Sequence, residues 1–312
     1  MQVEDALKRS ADMLRENLQA TCLRAKCSAP RTQIQDFLSR SIEPPDEESV
    51  KFAVKDLQLL KSLDQKGELT PLGHLLTDFS LDPWRAKLVL LGIIFRCLDP
   101  LLIIGAIGSE SLFYLSTDPS TRQRVEKSRL EFSNGSWSDH MSAANAVVAT
   151  RDVWYQKGKT SAFYYAVSRH IHFDRVRETL NSARQTLGIL VRKQLIPQPM
   201  ALRNDFRYGG PDLNINSSHS PLIKALLAHA AYPNLAAPSQ GSSRRYRTSQ
   251  DSVTHIALNS AFDAAFYALA TPRVDRVDTR NMSRDHLFNT LSGIMIDITG
   301  LDHDPVYTSR DN

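Results

Sequence analysis

The chain is poor in cysteine, with only Cys22, Cys27 and Cys97 among its 312 residues. Three thiols cannot build a disulfide framework, and Cys22 and Cys27 lack a second Cys or His pair at zinc-site spacing, so all three are expected to be reduced and structural. The opening MQVEDALKRSADML has no apolar signal-peptide core, which predicts an intracellular protein, cytoplasmic or nuclear. A long uninterrupted apolar run is also missing. Leu88–Ile107 comes nearest, but Arg96, Asp99 and Pro100 break it, and an unpaired charge at mid-bilayer is costly. Two buried helices meeting at a turn are expected there, and no membrane partner. Neither charge sign dominates: 38 Lys+Arg against 34 Asp+Glu leave a net charge of +4. Any case for nucleic-acid binding must therefore come from local clustering. No internal repeat or low-complexity tract is present.

What is present is a succession of helix signals in a length that suits two or three small domains. Residues 1–26 predict a helix with Leu7, Met13 or Leu14, Leu18 and Cys22 on one face. A short helix is expected over Thr32–Leu38. After Pro44-Pro45, Asp46-Glu47-Glu48 opens a helix with Val50, Ala53, Val54, Leu57 and Leu60 as its apolar stripe. Asp64-Gln65-Lys66-Gly67 predicts a turn between short strands at Ser62–Leu63 and Glu68–Leu69, a wing-like hairpin. Thr70-Pro71, Asp82-Pro83 and Asp99-Pro100 each pair a polar N-cap with proline at the first helical position. From 82 to 196 the pattern is all helical, clearest at Phe173, Val176, Leu180, Ala183, Leu187 and Leu190. The Pro-, Gly- and Asn-rich stretch Pro197–Asn216 predicts a linker. Ser220-Pro221 starts another helix, and β-prone runs follow at RRYRT, SVTHIAL and GIMIDIT.

Several short motifs imitate chemistry. Gly158-Lys159-Thr160 has the end of a phosphate loop, but the G-x-x-x-x-G-K-[ST] pattern needs glycine where Val153 stands, and the preceding residues are aromatic and helix-like. An exposed loop between helices is expected. Asp46-Glu47-Glu48 is placed to complement a helix dipole rather than to hold a metal beside a phosphate loop. Ser138-Asp139-His140 cannot line up as nucleophile, base and orienter, because consecutive residues do not form such a relay; Ser138 or Asp139 should cap a helix. No catalytic residue is assigned, and ATP turnover by these residues alone is not expected. His170 and His172 are two apart, the wrong spacing for one helical face, so no metal site is assigned. Phe163-Tyr164-Tyr165 is expected to pack inside the bundle. The positive clusters are the serious candidates: Arg122, Arg124, Lys127 and Arg129; Arg169, Arg175, Arg177, Arg184, Arg192 and Lys193; Lys157 and Lys159 beside Trp154 and Tyr155; and Arg244, Arg245 and Arg247 around Tyr246.

Taken in order, EPPDEESVKFAVKDLQLLKSLDQKGELTPLG, LDPWRAKLVLLGIIFRCLDPLLIIGAI and SWSDHMSAANAVVATRDVW resemble the C-terminal region of DEAH-box helicases of the RNA helicase A-like group. SPLIKALLAHAAYPNLA and RRYRTSQDSVTHIALNS resemble the entry to that group's OB-fold, departing from it at His255-Ile256-Ala257, where the family carries a proline. The resemblance runs from about Leu14 to Leu301. It implies a mainly α fold: a winged-helix-like domain over 1–80, a helical ratchet (helicase-associated) domain over 81–196, a linker over 197–218, and an OB-fold-like β-barrel region over 219–312 that is expected to be cut short. It also implies an RNA-binding module gripping single-stranded or structured RNA beside two RecA-like motor domains. ATP and magnesium would belong to those motors, leaving no cofactor here. The RNA-binding residues it favours are Arg244, Arg245, Tyr246, Arg247, Lys157, Lys159, Arg177 and Arg184. RecA-like motor domains or a helicase cofactor protein are the expected protein partners. The alternative expectation is a protein-interaction module, a helicase remnant without unwinding activity.

Overall fold

The structure, a computed structural model, describes residues 18–197 and 207–232 and the backbone of 236–238, 245–248 and 253–255. Residues 1–17 of the first predicted helix, residues 198–206 of the predicted linker, Arg244 and the GIMIDIT run lie outside the described residues.

The architecture is mainly helical, as expected. Helix α1 (Leu18–Ser28) packs on α3 (Glu47–Leu59) with Leu18, Cys22 and Leu23 buried, and the short α2 (Ile34–Leu38) lies alongside. Asp46 caps α3 by accepting from the Ser49 N–H at 3.0 Å, and Val50, Ala53, Leu57 and Leu60 are buried as the stripe predicts. The predicted hairpin strands shrink to one antiparallel bridge, Leu63 to Leu69. The Asp64 carboxylate accepts the Lys66 and Glu68 N–H groups, each at 2.8 Å, so side-chain bonds close the turn where a longer ladder would otherwise be needed. Thr70 then caps α4 (Pro71–Leu76), and Gly73 sits so close to α3's end that a Cβ there would meet the Ser62 carbonyl oxygen at 2.0 Å.

The broken apolar run forms α5 (Pro83–Ile94) and α6 (Leu98–Ala106), joined by the turn Phe95–Cys97 with Arg96 at φ 53. Among the described residues no helix is long and apolar enough to cross a membrane. Helix α6 is the centre of the core: every residue but Pro100 is buried, against α5, α8 (Asp139–Lys157) and α10 (Phe173–Arg192). Asp82 does precede α5, but Asp99 is not a cap. The Asp99-Pro100 step lies inside the first turn of α6, whose N-cap is Cys97. Helices α7 (Pro119–Ser133), α8, α9 (Lys159–Ser168) and α10 complete the bundle, with Asp118 and Ser138 as side-chain caps of α7 and α8.

Residues 207–216, within the predicted linker, pack onto the bundle. Tyr208 and Asn214 are buried, Leu98 N–H donates to the Leu213 carbonyl at 2.9 Å, and Asn216 bonds back to the Phe95 and Arg96 carbonyls. Helix α11 (Ser220–Ala231), capped by the His219 ring nitrogen, then lies on α5. Strands β1 (Ala236–Pro238), β2 (Arg245–Thr248) and β3 (Val253–His255) form an antiparallel sheet in sequence order, Ala237 opposite Arg247 and Tyr246 opposite Thr254. Among the described strands β1 is an edge, a position that suits Pro238. The remainder of the expected barrel lies outside the described residues.

Candidate nucleic-acid interface

Helices α8 and α9 meet at a single residue. Gly158 has φ 86 and ψ 168, a conformation essentially reserved for glycine, and it ends α8 and starts α9 in one step. Gly158-Lys159-Thr160 is thus a sharp corner rather than the loop expected between helices, and the glycine is there for the backbone. Lys157, the last residue of α8, and Lys159, the first of α9, flank the corner and are both exposed. Neither has an ion-pair partner among the described residues, whereas most neighbouring cations do.

Arg177 pairs with Asp174 at 3.1 Å, Arg169 with Glu131 at 2.7 Å and Lys193 with Asp78 at 2.6 Å. Arg175 is tied to Glu110 and to the Ser111 carbonyl. Arg184 donates to the Tyr155 hydroxyl at 2.8 Å, which raises its pKa further and keeps the guanidinium beside α8. Within the 122–129 cluster, Arg129 is buried with its guanidinium over the Phe113 ring, while Lys127 is exposed. Exposed pairs such as Arg177–Asp174 are worth at most about 1 kcal/mol, so they can be exchanged for phosphate contacts. Arg245, Tyr246 and Arg247 lie on β2, opposite His255, Thr254 and Val253 in register.

Phe163 and Tyr164 were expected in the core but face outward, 46% and 67% exposed, while Tyr165 is half-buried under Arg169. The reason is helical phase. Ala162 and Ala166 are the buried positions of α9, and their small side chains let it lie close to its neighbours with the rings outside. A cleft of about 380 Å³ opens beside Phe163, with Tyr114, His172, Phe173 and the carboxylates of Glu110, Asp174 and Glu178 in its walls. Tyr114 packs edge-on against His172 at 4.3 Å, and partial burial together with Arg175 lowers that imidazole's pKa, favouring its neutral form. Among the described residues no cluster of His, Cys, Asp and Glu could hold a metal ion.

The most constrained polar group was not anticipated from the sequence. Arg151, 1% exposed in the middle of α8, donates to both carboxylate oxygens of Asp99, at 2.7 and 3.2 Å. Asp99 also accepts the Tyr208 N–H at 3.0 Å, while Asn214 accepts the Asp99 N–H and donates to the Tyr208 and Gly210 carbonyls. The Arg151 guanidinium sits 5.5 Å from the Tyr208 ring centre. Burial disfavours its charge, but Asp99 more than compensates and the pKa ends up raised. Met141, Ala144, Val147 and Arg151 follow one helical stripe, so an arginine on an apolar face was the available signal. A second pair, Lys26 with Glu68 at 2.8 Å, ties α1 to the small turn.

No protein-family model matches the chain. It is 30% identical over 245 residues to the ATP-dependent RNA helicase DHX30 of Rattus norvegicus and to that of Homo sapiens, covering 78% of this chain and 20% of each helicase. It is 31% identical over 227 residues to the ATP-dependent DNA/RNA helicase DHX36 of Bos taurus, covering 72% of this chain and 21% of that protein. The chain is a homologue of DEAH-box helicases, consistent with a C-terminal region of such proteins. It spans about a fifth of the length of these relatives.

Proposed function

We propose that this chain is the RNA-gripping C-terminal region of a DEAH-type ATP-dependent RNA helicase. In this reading residues 1–80 act as a winged helix, 81–196 as the ratchet bundle and 219–312 as an OB-fold-like region. The observation that carries it is similarity over most of the chain to proteins named as RNA helicases. The geometry adds a mechanism for the grip. Lys157 and Lys159, without an ion-pair partner among the described residues, flank the α8–α9 corner, Arg177 and Arg184 stand on exposed positions of α10, and Arg245 and Arg247 stand on β2 with Arg244 before it. A strand held by phosphate contacts of this kind releases counterions, so affinity must fall steeply with salt. ATP and magnesium would be bound by motor domains, whose phosphate-loop pattern these residues do not contain.

Filter binding of the full chain to an oligouridine across a salt series tests the reading. Binding at low salt that weakens steeply as salt rises is expected, with Lys157→Ala/Lys159→Ala and Arg245→Ala/Arg247→Ala each weakening it. Absence of binding at low salt overturns it. A protein-docking role is the second reading. Phe52 and Leu59, seven residues apart on α3, are 50% and 37% exposed, and Phe37 on the adjoining α2 is exposed as well, apolar surface that a motor domain or cofactor protein could cover.

A further inference from the structure

We infer that the outer face of α9 is a stacking platform for unpaired bases, a proposal that rests on the RNA reading above and assigns the residues that would hold the bases. Lys159, Thr160, Phe163, Tyr164, Val167 and Ser168 are all exposed and recur at the spacing of one helix face. The whole helix, KTSAFYYAVS, carries no carboxylate. Two large rings left in water on a helix that has a core to bury them in call for an occupant, and the arrangement of the rings says which kind.

Phe163 is braced from behind. Its ring meets Phe173 edge-on at 5.7 Å, Phe173 lies 5.4 Å from Trp154, and Tyr164 stands edge-on to Phe163 at 5.6 Å. A ring held this way loses little freedom when a flat partner settles on it, which is what a stacking platform needs. The setting favours a polyanion over a protein. Lys159, at the start of the face, and Lys157, two residues before it at the end of α8, have no ion-pair partner among the described residues. Of the three carboxylates in the adjoining cleft, Glu110 is held by Arg175 and Asp174 by Arg177, which leaves only Glu178 without an ion pair among the described residues. Rings adjoining unengaged cations are the combination that single-strand binding uses: cations track the backbone while aromatic faces take the bases in a sequence-tolerant way.

The test compares an oligouridine with an abasic ribose-phosphate oligomer of equal length, both titrated against the full chain over a salt series. Phe163→Ala/Tyr164→Ala should weaken oligouridine binding about tenfold, leave abasic binding alone and keep the parental salt slope. Lys157→Ala/Lys159→Ala should weaken both oligomers and reduce the salt slope by about 1.4. Because Phe163 touches Phe173, Tyr164→Ala alone serves as the second variant; it removes only an exposed ring and should show a smaller loss of the same kind. A ring variant that melts like the parent yet binds oligouridine as the parent does overturns the inference, leaves RNA binding standing and gives the face to a protein partner. If the parent chain binds neither oligomer at low salt, the RNA reading and this inference fall together.

Discussion

At the residue scale, Arg151 shows how much can rest on one side chain. A guanidinium sealed from water must be matched in charge and geometry, and Asp99 supplies both through its two oxygens. Removing one partner strands the other as an uncompensated buried charge. Arg151→Ala is therefore expected to lower unfolding stability by about 3–5 kcal/mol, measured by urea denaturation; a change below about 1 kcal/mol would mean that Asp99 is as well hydrated as a surface carboxylate. The three cysteines give a second expectation. Burial pushes the Cys22 and Cys97 thiols up to about 12, so near neutral pH both remain protonated and shielded, whereas Cys27 is exposed. A thiol reagent should titrate one equivalent in the native chain and three after denaturation. Rapid reaction of a second thiol in native protein would contradict the packing around α1 or α6. Cys22 and Cys97 are buried as expected of structural thiols, while Cys27, expected to be structural as well, is exposed. The Arg151–Asp99 pair could not be foreseen, because Asp99-Pro100 also fits a helix cap and only the three-dimensional approach of α8 to α6 decides between the two.

Elements were legible where their signals were local. The cap at Asp46, the stripe of α3, the proline starts of α4 and α5, and the long amphipathic α10 all follow from side chains within a turn or two of one another. Signals failed where a neighbour set the outcome. The outward phase of Phe163 and Tyr164 depends on which side of α9 meets the bundle, and the packing of 207–216 depends on carbonyls and N–H groups of the α5–α6 turn. Glycine and asparagine there predict a linker, and within it Asn214 is a buried bracket with its oxygen and nitrogen both engaged. The α8–α9 corner makes an element-scale prediction. Gly158→Ala has open space for its methyl group, so its cost is backbone strain alone, about 1–3 kcal/mol. A thermal melt reads the loss, and an unchanged melting temperature would show that the corner relaxes without glycine. Because Lys157 and Lys159 flank that residue, the same variant should also weaken oligonucleotide binding if the corner's angle sets their spacing.

For the whole molecule, the homology to DEAH-box helicases and the mainly helical fold agree with the order of motifs along the chain. The resemblance was readable because it spans many short motifs whose order is specific even though each alone is weak. The RNA-contact residues were less legible: a run of arginines looks the same in sequence whether its members are free or engaged, and among the described residues Lys157 and Lys159 have no ion-pair partner while Arg175, Arg177 and Arg184 are engaged. No G-x-x-x-x-G-K-[ST] pattern occurs in the 312 residues, and Gly158-Lys159 belongs to a helix corner. The purified chain is accordingly expected to hydrolyse ATP no faster than buffer, with or without RNA, in a phosphate-release assay. RNA-stimulated release by pure material would overturn the assignment of the motor to other residues.

The polar knot around Asp99 also has a consequence for the order in which the chain can mature. Asp99 meets Arg151 across 52 positions, Tyr208 across 109 and Asn214 across 115. Contacts this remote form late, since the intervening loop must be closed before they return anything. Helices α5, α8 and α10, which cover α6, all precede residue 193, so what a chain stopped short of residue 214 lacks is the acceptor for the Asp99 N–H at the first turn of α6.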